Sequence, residues 1–104
     1  MHEPLTTCLA SLKEKAENAL GTQVEVVLFG SCARGTQTDE SDVDVVVIVP
    51  KLTPRTVDRL FEIAWQVGFE NGLVVSLIPV GRDELEVLRE SPFWQAVGRE
   101  GVKV

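Results

Sequence analysis

The sequence predicts a small α/β domain, of the α+β kind, in which helices cover a mixed β-sheet of three or four strands. Three observations lead there. Two long segments repeat apolar residues at spacings of three and four. Three short runs rich in valine, isoleucine and leucine separate or follow them, and glycine or proline marks almost every junction. The chain has 104 residues, and residues 1–104 are expected to fold as one domain around one core.

Leu5, Cys8, Leu9, Leu12, Ala16, Ala19 and Leu20 form the apolar stripe of a first helix, which Gly21 stops. Val24 to Phe29 reads as a buried strand ended by Gly30. Ser31 to Asp39 is polar and contains Gly35, so it reads as a turn with room for one helical turn. Such a connection permits an antiparallel return into the second strand, Val43 to Val49, which Pro50 ends. A mixed sheet is therefore expected rather than a purely parallel one. Thr53 then offers a capping hydroxyl and Pro54 the first helical position. Val57, Leu60, Phe61, Ala64 and Val67 carry that helix on to Gly68 or Gly72. Leu73 to Pro79 reads as a third strand and Asp83 to Glu90 as a helix with Leu85 and Leu88 inward. Ser91-Pro92 caps a short helix to Val97, and the last four residues are too few to assign.

Sixteen acidic and ten basic residues give a net charge of −6. That argues against direct binding of nucleic acid or of an anionic membrane surface. It leaves nucleotides open as ligands, because a metal ion can bridge carboxylates to phosphates. No apolar run approaches the roughly 20 residues of a membrane span, and Glu3 followed by a helical pattern does not read as a signal peptide. Cys8 and Cys32 are far apart and His2 is the one histidine, so neither a zinc site nor a disulfide scaffold is expected, and the cytoplasm is the expected compartment. His2 is terminal, Cys32 has no visible base partner, and Trp65 and Trp94 lie beside apolar stripes as core or interface packing.

The chemistry concentrates between Phe29 and Val47. Gly30-Ser31 falls where a strand gives way to a helical turn, a place where bare backbone N–H groups can approach an anion and a hydroxyl can add a donor. Asp42 and Asp44 stand two apart at the mouth of the second strand. Strand alternation puts both carboxylates on one face, their Cα atoms about 6–7 Å apart. Two hard oxygen donors at that spacing can hold a divalent cation, while Val43 and Val45 point the other way and mount the pair rigidly. Aspartate is disfavoured in strands, and neighbouring carboxylates repel unless neutralised. The same residues also read as a solvated acidic loop, Asp39, Glu40 and Asp42, with Asp44 facing water.

Gly30-Ser31, ten further residues and then Asp42-Val43-Asp44 resemble the signature of the DNA polymerase β-type nucleotidyltransferases. Ala33-Arg34-Gly35 and Ser41 within it, and Ser91-Pro92-Phe93 and Arg99-Glu100-Gly101-Val102 near the end, are similar to the small branch called minimal nucleotidyltransferases. The resemblance implies a nucleotidyltransferase-like fold and Mg²⁺-dependent transfer of a nucleoside monophosphate from ATP or another nucleoside triphosphate. It implies that Asp42 and Asp44 are the catalytic metal ligands and that Gly30 and Ser31 hold the triphosphate. Arg34 either steadies phosphates or pairs with the Asp39–Glu40 loop. Active relatives usually add a third carboxylate on a later strand, where it serves as general base. Here that strand carries Ser76 as its polar side chain, and the nearest acids, Glu70 and Asp83, lie outside it.

The implied partner is a HEPN-domain protein, with this chain as the antitoxin that nucleotidylates it; a homo-oligomer is left open. The alternative is a catalytically weak or inactive module of the same fold that neutralises its partner by binding alone. A small-molecule-modifying enzyme is less favoured, because no second domain is available to shape that pocket.

Overall fold

The structure is a computed structural model that describes residues 3–30, Ala33 and residues 42–104. Helix α1 spans Glu3–Leu20 and buries Leu5, Cys8, Leu9, Leu12 and Ala16. Ala19, expected in that stripe, is exposed instead, because its methyl lines an open hollow between helices beside Arg59 and Gln66. Strand β1 is Glu25–Phe29 and strand β2 is Val43–Val49. Val24, expected as the first residue of β1, is outside the ladder: its N–H donates to Glu17 Oε2 at 3.1 Å.

Helix α2 spans Pro54–Asn71. Thr53 caps it as expected, its side chain accepting from the Thr56 N–H at 3.2 Å. Gly72 ends it at φ 67°, and Leu73 N–H returns to the Gly68 carbonyl at 2.8 Å. That cap consumes Gly72 and Leu73, so strand β3 runs Val75–Gly81 rather than 73–79. Pro79 does not end it, because β3 is an edge strand and can spare one N–H. Phe61 and Trp65, expected beside or within the α2 stripe, are exposed; Leu60, Ile63, Ala64 and Val67 take the core positions.

A 3₁₀ turn, Arg82–Glu84, and helix α3, Leu85–Leu88, replace the single helix expected at 83–90. Glu84 folds back to accept from the Gly81 N–H at 2.9 Å, which tightens the first turn. Helix α4 spans Pro92–Glu100, one turn beyond the expected Val97, and strand β4 is Val102–Lys103. Two residues give too short a pattern to be read from sequence, yet they pair antiparallel with Val27 and Leu28.

The sheet order is β3-β2-β1-β4, with β1 antiparallel to β2 and β4, and β2 parallel to β3. The expected mixed sheet is therefore four-stranded. Both faces of β2 are covered. Val43, Val45, Val47 and Val49 join the core against α1 and α2, while Val46 and Ile48 join Val27, Val80 and Val97 in a second cluster that takes in Leu85, Leu88 and Trp94. Double-sided burial explains the nearly unbroken apolar run of β2, and Asp44 is its exception.

Helix α4 depends on its cap. Ser91 Oγ accepts from the Trp94 N–H at 3.1 Å and its hydroxyl donates to the Leu88 carbonyl at 2.8 Å. Ser91→Ala is expected to cost about 1 kcal/mol, a Tm loss of about 4–8 °C for a chain of this size by thermal denaturation.

Candidate functional site

The break in β2 is where the candidate site forms. Asp44 is registered with Phe29 on β1 and with Ser76 on β3, and registered neighbours share a face of the sheet. It is the face of the second, smaller cluster, at the end of the sheet where Asp44 is half-buried and Ser76 exposed. Asp42, two residues earlier and exposed, projects to the same side. Between them Val43 is buried, and its N–H donates to the Val74 carbonyl at 2.8 Å. The acidic pair is thus carried on an anchored backbone rather than on a free loop end.

Two effects raise the Asp44 carboxyl above the ordinary aspartate range: first its partial removal from water, then the charge of Asp42. Both are penalties on the ionised form that a bound cation would relieve. Phe29 contributes an apolar wall beside Asp44, and its ring is held edge-on by Phe93 of α4, with centroids 5.5 Å apart at 87°.

Gly30 closes the other side. Its φ is +74°, and a Cβ placed on it would lie 2.6 Å from Asp44 Oδ2. Conformation and space therefore both require glycine here. The backbone leaving β1 passes directly against the Asp44 carboxylate.

Gly30, Asp42 and Asp44 are brought together. Ser31 and Arg34, the other expected site residues, lie outside the described residues, as do His2, Cys32, Asp39 and Glu40. No third carboxylate joins Asp42 and Asp44 among the described residues. Glu70 sits on α2, across the sheet, with its carboxylate 3.1 Å from Lys15 Nζ. Asp83 follows the far end of β3, beyond the Val49–Gly81 register, while Asp44 is registered at the near end. Ser76 holds the position beside Asp44. No group of three or more His, Cys, Asp and Glu side chains among the described residues could hold a metal ion. The donor set is two carboxylates, enough for a Mg²⁺ that keeps waters and phosphate oxygens as its remaining ligands.

A separate hollow of about 360 Å³, bordered by Lys13, Glu17, Glu25 and Arg82, lies at the opposite end of the sheet. Its cations are engaged, Arg82 with Glu25 at 3.0 Å and Lys13 with the Val104 carbonyl at 3.1 Å. It therefore offers no comparable anion site. The contribution of Phe93 was not apparent from sequence, since nothing in the spacing of Phe29 and Phe93 signals that their rings meet.

Residues 7–94 match the sequence pattern of the nucleotidyltransferase domain family. A Methanocaldococcus jannaschii protein, provisionally named a protein adenylyltransferase, is 33% identical over 93 residues, which are 86% of this chain and 63% of that protein. The chain thus spans less than two-thirds of the length of the curated relative it matches. Two solved structures share the fold. One is a chain of a toxin–antitoxin crystal structure with AMP-PNP, at 23% identity and a TM-score of 0.61, covering 88% of this chain and 68% of that one. The other is a Sulfolobus solfataricus protein provisionally named a nucleotidyltransferase, at 18% identity and a TM-score of 0.52, covering 99% of this chain and 87% of that one.

Proposed function

The chain belongs to the nucleotidyltransferase domain family, and on that premise we propose that it moves a nucleoside monophosphate from ATP to an acceptor protein. The observation that carries the reading is the Asp42–Asp44 pair, mounted on a buried strand with the Gly30 backbone pressed against it. A strand whose task was stability alone would not carry two mutually repelling carboxylates at its open end.

The pair suits Mg²⁺, whose chemistry when bound is to neutralise charge on the phosphoryl group being transferred. The chain's own groups do the rest. Asp42 and Asp44 would hold the metal, and Val43 keeps their backbone fixed. Gly30 leaves room for the Asp44 carboxylate and is proposed to hold the triphosphate through its backbone, and the Phe29–Phe93 wall keeps part of the site out of water, where electrostatic contacts are stronger. Ser31 is proposed to add a hydroxyl donor to the triphosphate. Arg34 is proposed either to steady the phosphates or to hold the Asp39–Glu40 loop.

The proposed acceptor is a HEPN-type partner, with this chain as its antitoxin in the cytoplasm. The name of the Methanocaldococcus relative supports a protein acceptor, and the toxin–antitoxin structure with AMP-PNP supports the pairing. The net charge of −6 favours a basic partner. The test is incubation of both proteins with Mg²⁺ and ATP labelled at the α-phosphate. Label on the partner, lost with EDTA, is expected; an unlabelled partner that is nevertheless neutralised would point to the second reading.

That second reading, neutralisation by binding alone, is favoured by Ser76. A general base must lie within hydrogen-bond reach of the attacking group, and the position registered with Asp44 carries a hydroxyl that is a poor base near neutral pH. Ser76→Asp is expected to raise the transfer rate by about 10²-fold, the low end of what a positioned base contributes. An unchanged rate in single-turnover measurements would assign proton removal to the acceptor's side of the complex.

A further inference from the structure

The face of α2 turned away from the core carries an aromatic ridge. Phe61, Trp65 and Phe69 recur every four residues and align along the helix over about 12 Å. They are 48%, 70% and 75% exposed, and the Trp65 and Phe69 rings stack with centroids 5.4 Å apart at 9°. Three large rings exposed in one row differ from scattered surface apolar residues, and such contiguous patches mark interaction surfaces.

The ridge has a direction. Helix α2 turns through Gly72 into β3 and packs against it, so Phe69 at its C-terminal end lies at the sheet end where β3 begins. Val74, 64% exposed, immediately precedes β3 at that same end, and its carbonyl receives the Val43 N–H between Asp42 and Asp44. The ridge lies on the helix across the sheet from the carboxylate pair, and its Phe69 end stands at the same end of the sheet as that pair.

The charge around the ridge selects its occupant. Asp58 and Glu62 border Phe61 and Trp65 in an open hollow of about 490 Å³, on a chain of net charge −6. A second copy would bring together two chains that each carry a net charge of −6. A basic surface would be attracted, and Lys or Arg side chains gain further by lying over exposed aromatic faces, tryptophan best of all. The exposed Arg59–Glu62 pair, 3.2 Å apart, is of the weakly held kind that a partner's guanidinium can replace.

We propose that this ridge docks the acceptor protein, through a contact face that presents apolar side chains among lysines and arginines. Held on α2, such a partner reaches round the sheet end at Val74 to deliver the side chain to be modified to Asp42 and Asp44. The delivery of that side chain rests on the nucleotidyl-transfer reading above; the docking itself rests on the ridge.

The test measures binding of the HEPN-type protein proposed above as the acceptor, used as the probe, by calorimetry with three forms of the chain: unsubstituted, Trp65→Ala/Phe69→Ala, and Asp44→Asn. The double variant is expected to bind the probe about 30-fold or more weakly, the loss typical of central aromatic anchors. Its thermal transition and its affinity for Mg²⁺·ATP should not fall. Asp44→Asn should keep full affinity for the probe while losing Mg²⁺·ATP. Undiminished probe binding by the double variant, or no binding by the unsubstituted chain, overturns the proposal. So does a dimer of the unsubstituted chain that becomes monomeric in the double variant by sedimentation, which would give the ridge to a second copy. If docking follows the ridge but Asp44→Asn still labels the probe, the transfer reading fails and the docking surface stands.

Discussion

Asp44→Asn is expected to lower nucleotidyl transfer by about 10³-fold, as removal of a charge-stabilising group from a partly water-excluded site does, and at the same time to make the metal-free protein more resistant to heat. The two effects have one cause. Asp44 is partly withdrawn from water and faces the charge of Asp42, so its carboxyl is raised above the ordinary range. The folded chain therefore binds that proton more tightly than the unfolded chain does, and ionised Asp44 costs stability at neutral pH. The cost fades as pH falls through the raised pKa and is gone below the ordinary aspartate range of about 4. In EDTA at pH 7 the variant should melt above the unsubstituted chain, and the difference should close on acidification. Mg²⁺ with ATP should stabilise the unsubstituted chain and leave the variant unmoved. A residue kept for the fold would give the reverse, a variant that melts earlier at pH 7.

Gly30→Ala should damage both fold and site. At φ +74° an alanine carries a backbone cost of about 1–2 kcal/mol, equivalent to a Tm loss of about 4–16 °C. The added methyl would also stand 2.6 Å from Asp44 Oδ2, so the carboxylate must move. Metal ligands displaced from their positions lose affinity steeply, and Mg²⁺·ATP binding is expected to weaken by about 10²-fold. Gly72→Ala is the control. Gly72 has a similar φ of +67° but nothing within 4 Å of an added Cβ, so it should lower Tm comparably and leave nucleotide affinity unchanged. Equal nucleotide affinity in both variants would remove Gly30 from the site.

Much of this architecture was legible because the determining forces are local. Thr53-Pro54 and Ser91-Pro92 start helices with side chains that reach three residues ahead. The apolar run to Val49, ended by Pro50, read as a strand against which Asp44 stood out; its burial on both faces is what the structure adds. What the sequence did not reveal is set by contacts between distant segments. Strand β3 begins two residues late because the α2 cap takes Gly72 and Leu73. Strand β4 exists only because β1 offers it an edge. Phe61 fits the apolar period of α2 but falls just off the buried arc, a difference that periodicity does not resolve without knowing where α1 and β3 lie. At the site, the Asp-x-Asp spacing announced a shared face, and Ser76, the polar side chain of the third strand, was expected in the facing position, where the register places it; that Glu70 and Asp83 lie elsewhere is set by distant contacts that no local pattern could decide.

A metal-dependent nucleotide site at Asp42 and Asp44 is tested by calorimetric titration of the purified chain with ATP, with and without Mg²⁺, alongside Asp44→Asn. Saturable binding that requires Mg²⁺ and disappears in the variant is the predicted result. Binding that persists unchanged in Asp44→Asn, or no binding by the unsubstituted chain up to millimolar nucleotide, would contradict it.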